Sequence, residues 1–347
     1  MKILKGLLFF FFISLAGSMN AQDIHFTQFY LSPLTTNPAY TGAFQGTFRI
    51  GGIYRDQWGG VSSSPYRTPS FYVDAPIFML GKRAWLGVGG MVYSDKAGAL
   101  ELATSQAMGS VAVHIPLDKK SKSVFTFGVQ AGYTSRQLNL GNAMFADGLA
   151  SGNTSTEFAG NVGSEENDFN TNKFDLNVGV LLKAQMNEKM RLEIGTSLSH
   201  LLTPDLHVNP SDSLGTEGRD AYDLPGDFLL HGQFFVDLNE KIVIKPAFMF
   251  RSLSGANNIQ VQAIGGYHLN ETKDMTLNVG IGYRLRDATQ FIVGMDYKQF
   301  RVGAAYDLTV SDLADVGTGG GFELGLSYIA KIFKKPTVKP VIFCPRF

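Results

Sequence analysis

From Gly46 onward the sequence repeats one pattern: apolar and polar residues alternate with period two, in segments of about ten residues separated by turn-forming residues. In Lys173–Gln185, the residues Phe174, Leu176, Val178, Val180 and Leu182 share one face, and Asp175, Asn177, Gly179 and Lys183 share the other. Met275–Leu285 sets Met275, Leu277, Val279, Ile281, Tyr283 and Leu285 against Thr276, Asn278, Gly280, Gly282 and Arg284. Phe322–Ala330 does the same. A strand alternates its side chains between two faces, so this period predicts strands. The polar face is built mainly of Gly, Ser, Thr, Asn and Gln with scattered charges. That suits the inside of a barrel better than a solvated sheet surface.

Nowhere beyond the N-terminus does the chain hold 18 apolar residues in a row. A chain of this kind can span a bilayer only as a closed barrel, because helices and barrels alone satisfy their backbone groups in lipid. Composition agrees. Charged residues are 17% against a usual ~25%, and 39 of the 347 residues are glycine, above the usual ~7%. Lys+Arg and Asp+Glu are 30 each, so the net charge is zero and the basic surface needed for nucleic acid is missing. The single cysteine, Cys344, excludes an internal disulfide framework.

About fourteen segments carry the pattern, and the expectation is an all-β, antiparallel transmembrane barrel of that strand number over residues 46–331. The weakest segments are the second, 67–76, because Pro69 and Pro76 cannot donate to a ladder, and the fourth, 101–115, which has an early stretch of small residues. Loop lengths give an independent check. With both barrel ends in the periplasm, connections after even strands should be short. Asn187–Lys189, Asn239–Glu240 and Asn270–Asp274 are tight, whereas the long connections 136–172 and 202–227 follow the fifth and seventh strands.

The flanks read differently. Lys2, Lys5, the apolar Leu7–Ala16 and the small residue Ala21 form a secretory signal peptide over 1–21. Residues 22–45 are an N-terminal periplasmic or plug segment. Residues 332–347 are a tail whose prolines 336, 340 and 345 forbid another strand.

No catalytic or cofactor constellation emerges. The six histidines lack metal-ligand spacing and read as structural or lumen-facing. The acidic residues of 202–227, from Asp205 to Asp227, fit a solvated outer loop better than a calcium site, since no EF-hand pattern is present. Inward positions by strand phase include Arg49, Arg55, Lys245, Arg251, Arg284, Arg286, Asp296, Arg301, Asp307 and Glu323. Such charges either pair across the lumen or line a selective channel.

Several motifs carry a resemblance. Gln22–Gln28, Asn37-Pro-Ala-Tyr-Thr-Gly42 and Arg55-Asp-Gln-Trp-Gly59 open the mature chain. Ser94-Asp-Lys-Ala-Gly98, Gly282-Tyr-Arg284, Tyr306-Asp-Leu308, Gly320-Gly-Phe-Glu-Leu324 and Cys344-Pro-Arg-Phe347 follow. Together these resemble the PorP/SprF family of type IX secretion membrane proteins. The resemblance implies a multi-pass outer-membrane protein of a Bacteroidetes-type bacterium, without enzymatic activity, serving protein secretion and gliding motility. Its implied partners are membrane lipid and other secretion components: either the C-terminal domain of a secreted adhesin, or periplasmic ring and cell-wall-binding proteins. On the motif positions, Asn37, Pro38, Tyr40, Arg55, Trp58 and Gly59 are candidate partner or plug contacts. Arg251, Arg284, Asp296, Arg301, Asp307 and Glu323 are candidate lumen charges. The competing reading is a diffusion channel or a transporter of hydrophobic substrates.

Overall fold

In the computed structural model, residues 24–59, 65–81, 83–97, 102–139, 168–204, 226–253, 256–311 and 319–332 are described. Fourteen strands follow in chain order. They are β1 Phe48–Gln57, β2 Tyr66–Leu80, β3 Ala84–Ala97, β4 Leu102–Pro116, β5 Val124–Asn139, β6 Asp168–Gln185 and β7 Met190–Ser199. Then come β8 Asp227–Asp237, β9 Ile242–Leu253, β10 Ala256–His268, β11 Met275–Arg284, β12 Ala288–Tyr297, β13 Phe300–Thr309 and β14 Gly321–Ala330. Each pairs antiparallel with its sequence neighbours, and β1 pairs with β14, so the sheet is a closed barrel without an edge. Arg55 and Glu323 stand directly opposite one another across that closing seam.

The period-two pattern is what this arrangement requires. Along β11, Leu277, Val279, Ile281 and Tyr283 are exposed, while Thr276 and Arg284 are buried. In a barrel the outward face is the exposed one, so the apolar side chains form a lipid-facing belt. Val92, Val111, Phe127, Phe174, Phe291, Val293, Leu324 and Leu326 continue it. Aromatics rim both ends. Tyr54, Tyr133, Tyr283, Tyr306 and Phe322 lie toward one end, and Tyr267, Tyr297 and Phe300 toward the other. At the second end the connections after even strands are short, for example Lys298–Gln299 between β12 and β13. We call it the short-turn end and its opposite the long-loop end.

The second strand departs from the expectation in an instructive way. It runs for 15 residues, through both prolines. Pro69 faces outward opposite Tyr54, and the β2–β3 register has no partners for Thr68 and Pro69. The same register slips by one residue between Pro76 and Phe78, a bulge where Pro76 has no N–H to give. Two other expectations need correction. Arg286 is an exposed residue of the β11–β12 turn, not a lumen charge, because the strand ends at Arg284 and the chain reverses with Arg286 at φ 60°. Asp227 is not part of a solvated loop: it opens β8 and is buried against Arg251. Residues 136–139 and 168–172, read as part of a long connection, belong to β5 and β6. Residues 140–167 and 205–225, the leader 1–21 and residues 333–347 with Cys344 lie outside the described residues.

Candidate functional site: a lumen threaded by the N-terminal segment

Residues 24–47 lie inside the barrel. They show no strand alternation and fold into three short helical turns, Phe29–Leu31, Pro33–Thr36 and Pro38–Tyr40. The prolines open the second and third turns, where a missing N–H costs nothing. Apolar side chains of this segment pack on the inner wall. Leu34 meets Tyr72, Met91, Tyr93 and Met108, and Leu31 and Phe26 meet Ile53. Phe29 sits against Leu229, Ala247 and Met249. The segment runs from the long-loop half of the lumen to the short-turn end, where the Thr47 N–H bonds to the Ala330 carbonyl and β1 begins.

Three polar anchors hold it. The first, in the long-loop half, is organised around Thr27. The Glu323 carboxylate accepts the backbone N–H groups of Thr27 (2.7 Å) and Gln28 (3.0 Å). The Thr27 hydroxyl donates to Asp307 (2.6 Å) and accepts from Arg284 (3.0 Å). The Thr27 carbonyl accepts from Gln260 and Gln262. Arg55 bonds to Glu323 and lies 3.0 Å from Asp307, which Arg284 approaches to 2.8 Å. Two guanidiniums and two carboxylates, all within a few per cent of full burial, thus neutralise each other around one threonine. Beside them, Arg251 donates to the Ile24 carbonyl while paired with Asp227 at 2.6 Å.

The second anchor is Asn37. Its side-chain NH2 reaches the Val180 (3.0 Å) and Thr196 (3.2 Å) carbonyls and lies 3.1 Å from His231 Nε2. Its side-chain oxygen accepts the Ala39 N–H and so starts the third helical turn. Tyr40 stacks on the His231 ring.

The third anchor lies near the short-turn end. Arg49 and Asp74 form a two-point ion pair (2.9 and 2.8 Å), and Asp74 also accepts the Gly42 N–H (2.7 Å). His114 Nε2 donates to the Thr41 carbonyl, and the ring stacks on Trp85. Trp85 in turn donates to the Gly42 carbonyl.

Glycines on the inner wall make room for these contacts. A Cβ on Gly128 would lie 2.5 Å from the Ala39 nitrogen, and one on Gly325 would lie 2.6 Å from Leu31. On Gly179 it would run into the Asn37 amide. Wall glycines therefore match the path of the threaded segment, which accounts for part of the high glycine content.

The sequence-derived candidates divide. Asn37, Pro38 and Tyr40 lie in the threaded segment, and Arg55 touches it at Thr27. Trp58 and Gly59 do not join them. They follow β1 at the long-loop rim, where the Trp58 ring packs edge-on against Tyr66 and its backbone N–H (φ 64°) donates to the Gly320 carbonyl. Arg251, Arg284, Asp307 and Glu323 gather in the long-loop half. Asp296 and Arg301 meet in the other half, where Arg301 Nε lies 2.6 Å from Asp296. Sequence reasoning passed over Thr27, Asp74 and the Gln260/Gln262 pair, and read His231 only as one of six structural or lumen-facing histidines. The in-phase spacing of Asp74 with Thr68, Ser70 and Tyr72 along β2, and of Gln260 with Gln262 along β10, could have signalled these.

Between the threaded segment and the short-turn end lies a basin of about 460 Å³, bordered by Arg191, Asp237, Lys245, His268, Asp296 and Arg301 among others. No group of three or more His, Cys, Asp or Glu residues suited to a metal is present among the described residues.

Residues 18–328 match the family described as type IX secretion system membrane protein PorP/SprF. No curated protein matches the chain. Among solved structures, the toluene transporter TbuX of Ralstonia pickettii is similar at 15% identity and a TM-score of 0.53, covering 91% of this chain and 96% of its own. The toluene transporter TodX of Pseudomonas putida aligns at 14% identity and a TM-score of 0.49, covering 92% and 97%. At 15% identity the likeness to TbuX is one of fold, a closed barrel.

Proposed function

Since the chain belongs to the PorP/SprF family of type IX secretion system membrane proteins, we propose that it serves secretion as a plugged, non-enzymatic barrel that works by protein contact. Its task in this reading is to support the export or the surface anchoring of secreted adhesins. The observation that carries the reading is the threaded lumen. Residues 24–47 occupy it and are tied at three separate heights, which takes up space that a polar solute path would need. A barrel closed in this way has its rims and loops to offer, and these are surfaces for partners. The long-loop end would face outside and the short-turn end the periplasm, as in other outer-membrane barrels. In this reading residues 1–21 are removed on export and the periplasm-facing end meets the secretion machine.

Deleting the gene and measuring surface display of each secreted adhesin tests this. Loss of one adhesin or of all is expected, and unchanged display of every one would refute it. Gentle purification with mass spectrometry then separates a cargo-specific anchor, which brings one large adhesin, from a general component, which brings periplasmic ring proteins.

A second reading, a transporter of hydrophobic substrates, draws on the fold shared with TbuX. It predicts toluene or small-solute flux across liposomes carrying the pure protein. The three anchors argue for background flux.

A further inference from the structure

The basin at the short-turn end plays no part in holding the threaded segment, and its charges are unevenly matched. At its inner end Asp296 is the one carboxylate shared by two cations. Arg301 binds it through Nε at 2.6 Å, and Lys245 Nζ lies 3.7 Å away. Among the described residues Arg301 makes its hydrogen bond through that one nitrogen, and its side chain is half exposed and lines the cavity. Asp237, farther out, faces Arg191 at 4.0 Å. Four Lys or Arg side chains border the cavity among the described residues, against three Asp or Glu. Its volume lies within the ~300–1,000 Å³ of ordinary ligand sites.

From these contacts the geometry points to a recessed carboxylate-binding site for an acidic peptide segment, seated on Arg301 and Lys245 and entering from the short-turn end. A guanidinium is the preferred partner of a carboxylate. Low-dielectric walls around an excess of one sign focus the field on the site. Phe235, Val243 and the aliphatic parts of the lysines supply apolar wall that a peptide uses and an inorganic anion does not. Arg191 lies 5.0 Å over the Phe235 ring, which holds that cation at the wall. Inward, Phe235, Lys245 and Arg301 also border a pocket of only about 30 Å³ lined by Tyr30, which packs on Ile264 and Ile292. This deepens the protein-contact reading above and rests on it for its biological sense.

The test uses the full chain in detergent micelles, with barrel folding checked by heat-modifiable gel migration. The probe is a fluorescein-labelled peptide of alternating Glu and Gly, followed by anisotropy at low salt. A matched Lys–Gly peptide and inorganic phosphate serve as competitors. Saturable binding of the acidic peptide is expected, displaced by neither competitor at equal concentration and weakened by salt. Arg301→Gln should weaken it about tenfold. Asp296→Asn, which removes the competing carboxylate, should tighten it several-fold. Lys122→Gln, on the β4–β5 turn at the same end, should leave it unchanged. Absent saturation, or equal affinity in Arg301→Gln, overturns the site. Displacement by phosphate alone reduces it to a general anion site and overturns the peptide assignment. The outcome is independent of the deletion experiment: lost adhesin display with no peptide binding removes the basin and keeps the secretory reading, and the reverse pattern does the opposite.

Discussion

Replacing Glu323 by Gln changes one atom of the long-loop anchor and reverses its chemistry. The carboxylate now accepts from the Thr27 and Gln28 N–H groups and pairs with Arg55. A carboxamide keeps one acceptor oxygen and turns an NH2 toward the remaining donor. One buried N–H left without an acceptor costs about 1–3 kcal/mol. Orphaning a buried charge altogether costs about 3–5 kcal/mol, but Arg55 retains Asp307 at 3.0 Å, so that figure is an upper bound. A net loss of about 3 kcal/mol follows, roughly a hundredfold in the local opening equilibrium. The apolar anchors remain. Phe29, Leu31 and Leu34 are all at least 96% buried and contribute about 1.5–3 kcal/mol each. The loosening should therefore stop short of them. Hydrogen exchange read by mass spectrometry should show protection of residues 24–28 falling by about two orders of magnitude, with residues 38–44 unchanged because Asn37 and Asp74 hold them separately. Unchanged exchange at 24–28 in a correctly folded barrel would refute the argument. It would mean that packing of Phe26 and Leu31, rather than the charges, fixes this end.

Three further outcomes are expected. Asn37→Ala removes the contacts to Val180, Thr196 and His231 and should lower protection of residues 36–44 by an amount equivalent to about 1–3 kcal/mol, leaving 24–28 intact. Val279→Arg, on the lipid-facing belt, should destabilise refolding into bilayers by about 2–4 kcal/mol if it lies near the midplane, seen as a shifted urea midpoint. Asp118, in the β4–β5 turn, accepts the backbone N–H groups of Lys122, Ser123 and Lys120, which hold its carboxyl below the usual carboxylate range. A depressed pKa in the folded state means that the turn is supported above the unfolded value of ~3.9 and loses that support as pH falls through the lower, folded one. Amide chemical shifts of Lys120, Lys122 and Ser123 should titrate with a midpoint below ~3.9, and Asp118→Asn should abolish the titration.

The strands were readable because lipid on one side and a filled lumen on the other enforce the period-two pattern over the whole barrel. Each of the fourteen segments falls on a strand, and errors sit at ends: at Arg286 the phase outlasts the ladder by two residues, and at Asp227 the ladder begins a residue before the segment read as strand. The weakness assigned to β2 had a real cause, since its prolines disrupt pairing, but the two flanking strands carry it through. Residues 24–47 carry no period, and the sequence left them two homes. Thr27 was invisible for a different reason. Nothing distinguishes one threonine in an irregular segment until Arg55, Arg284, Asp307 and Glu323, from four different strands, converge on it. Trp58 and Gly59 share a motif with Arg55, yet they sit at the rim because the strand ends between them.

The position of Glu323 bears on how such a barrel can be put together. It is carried by the last strand, and its partner Arg55 by the first, directly across the seam. The two N–H groups it accepts belong to a segment that precedes the first strand. Sealing the ring and fastening the plug are then one event: until β14 docks on β1, Thr27 and Gln28 lack their acceptor. A closure slipped by two residues would carry Glu323 past both. The seam thereby checks its own register.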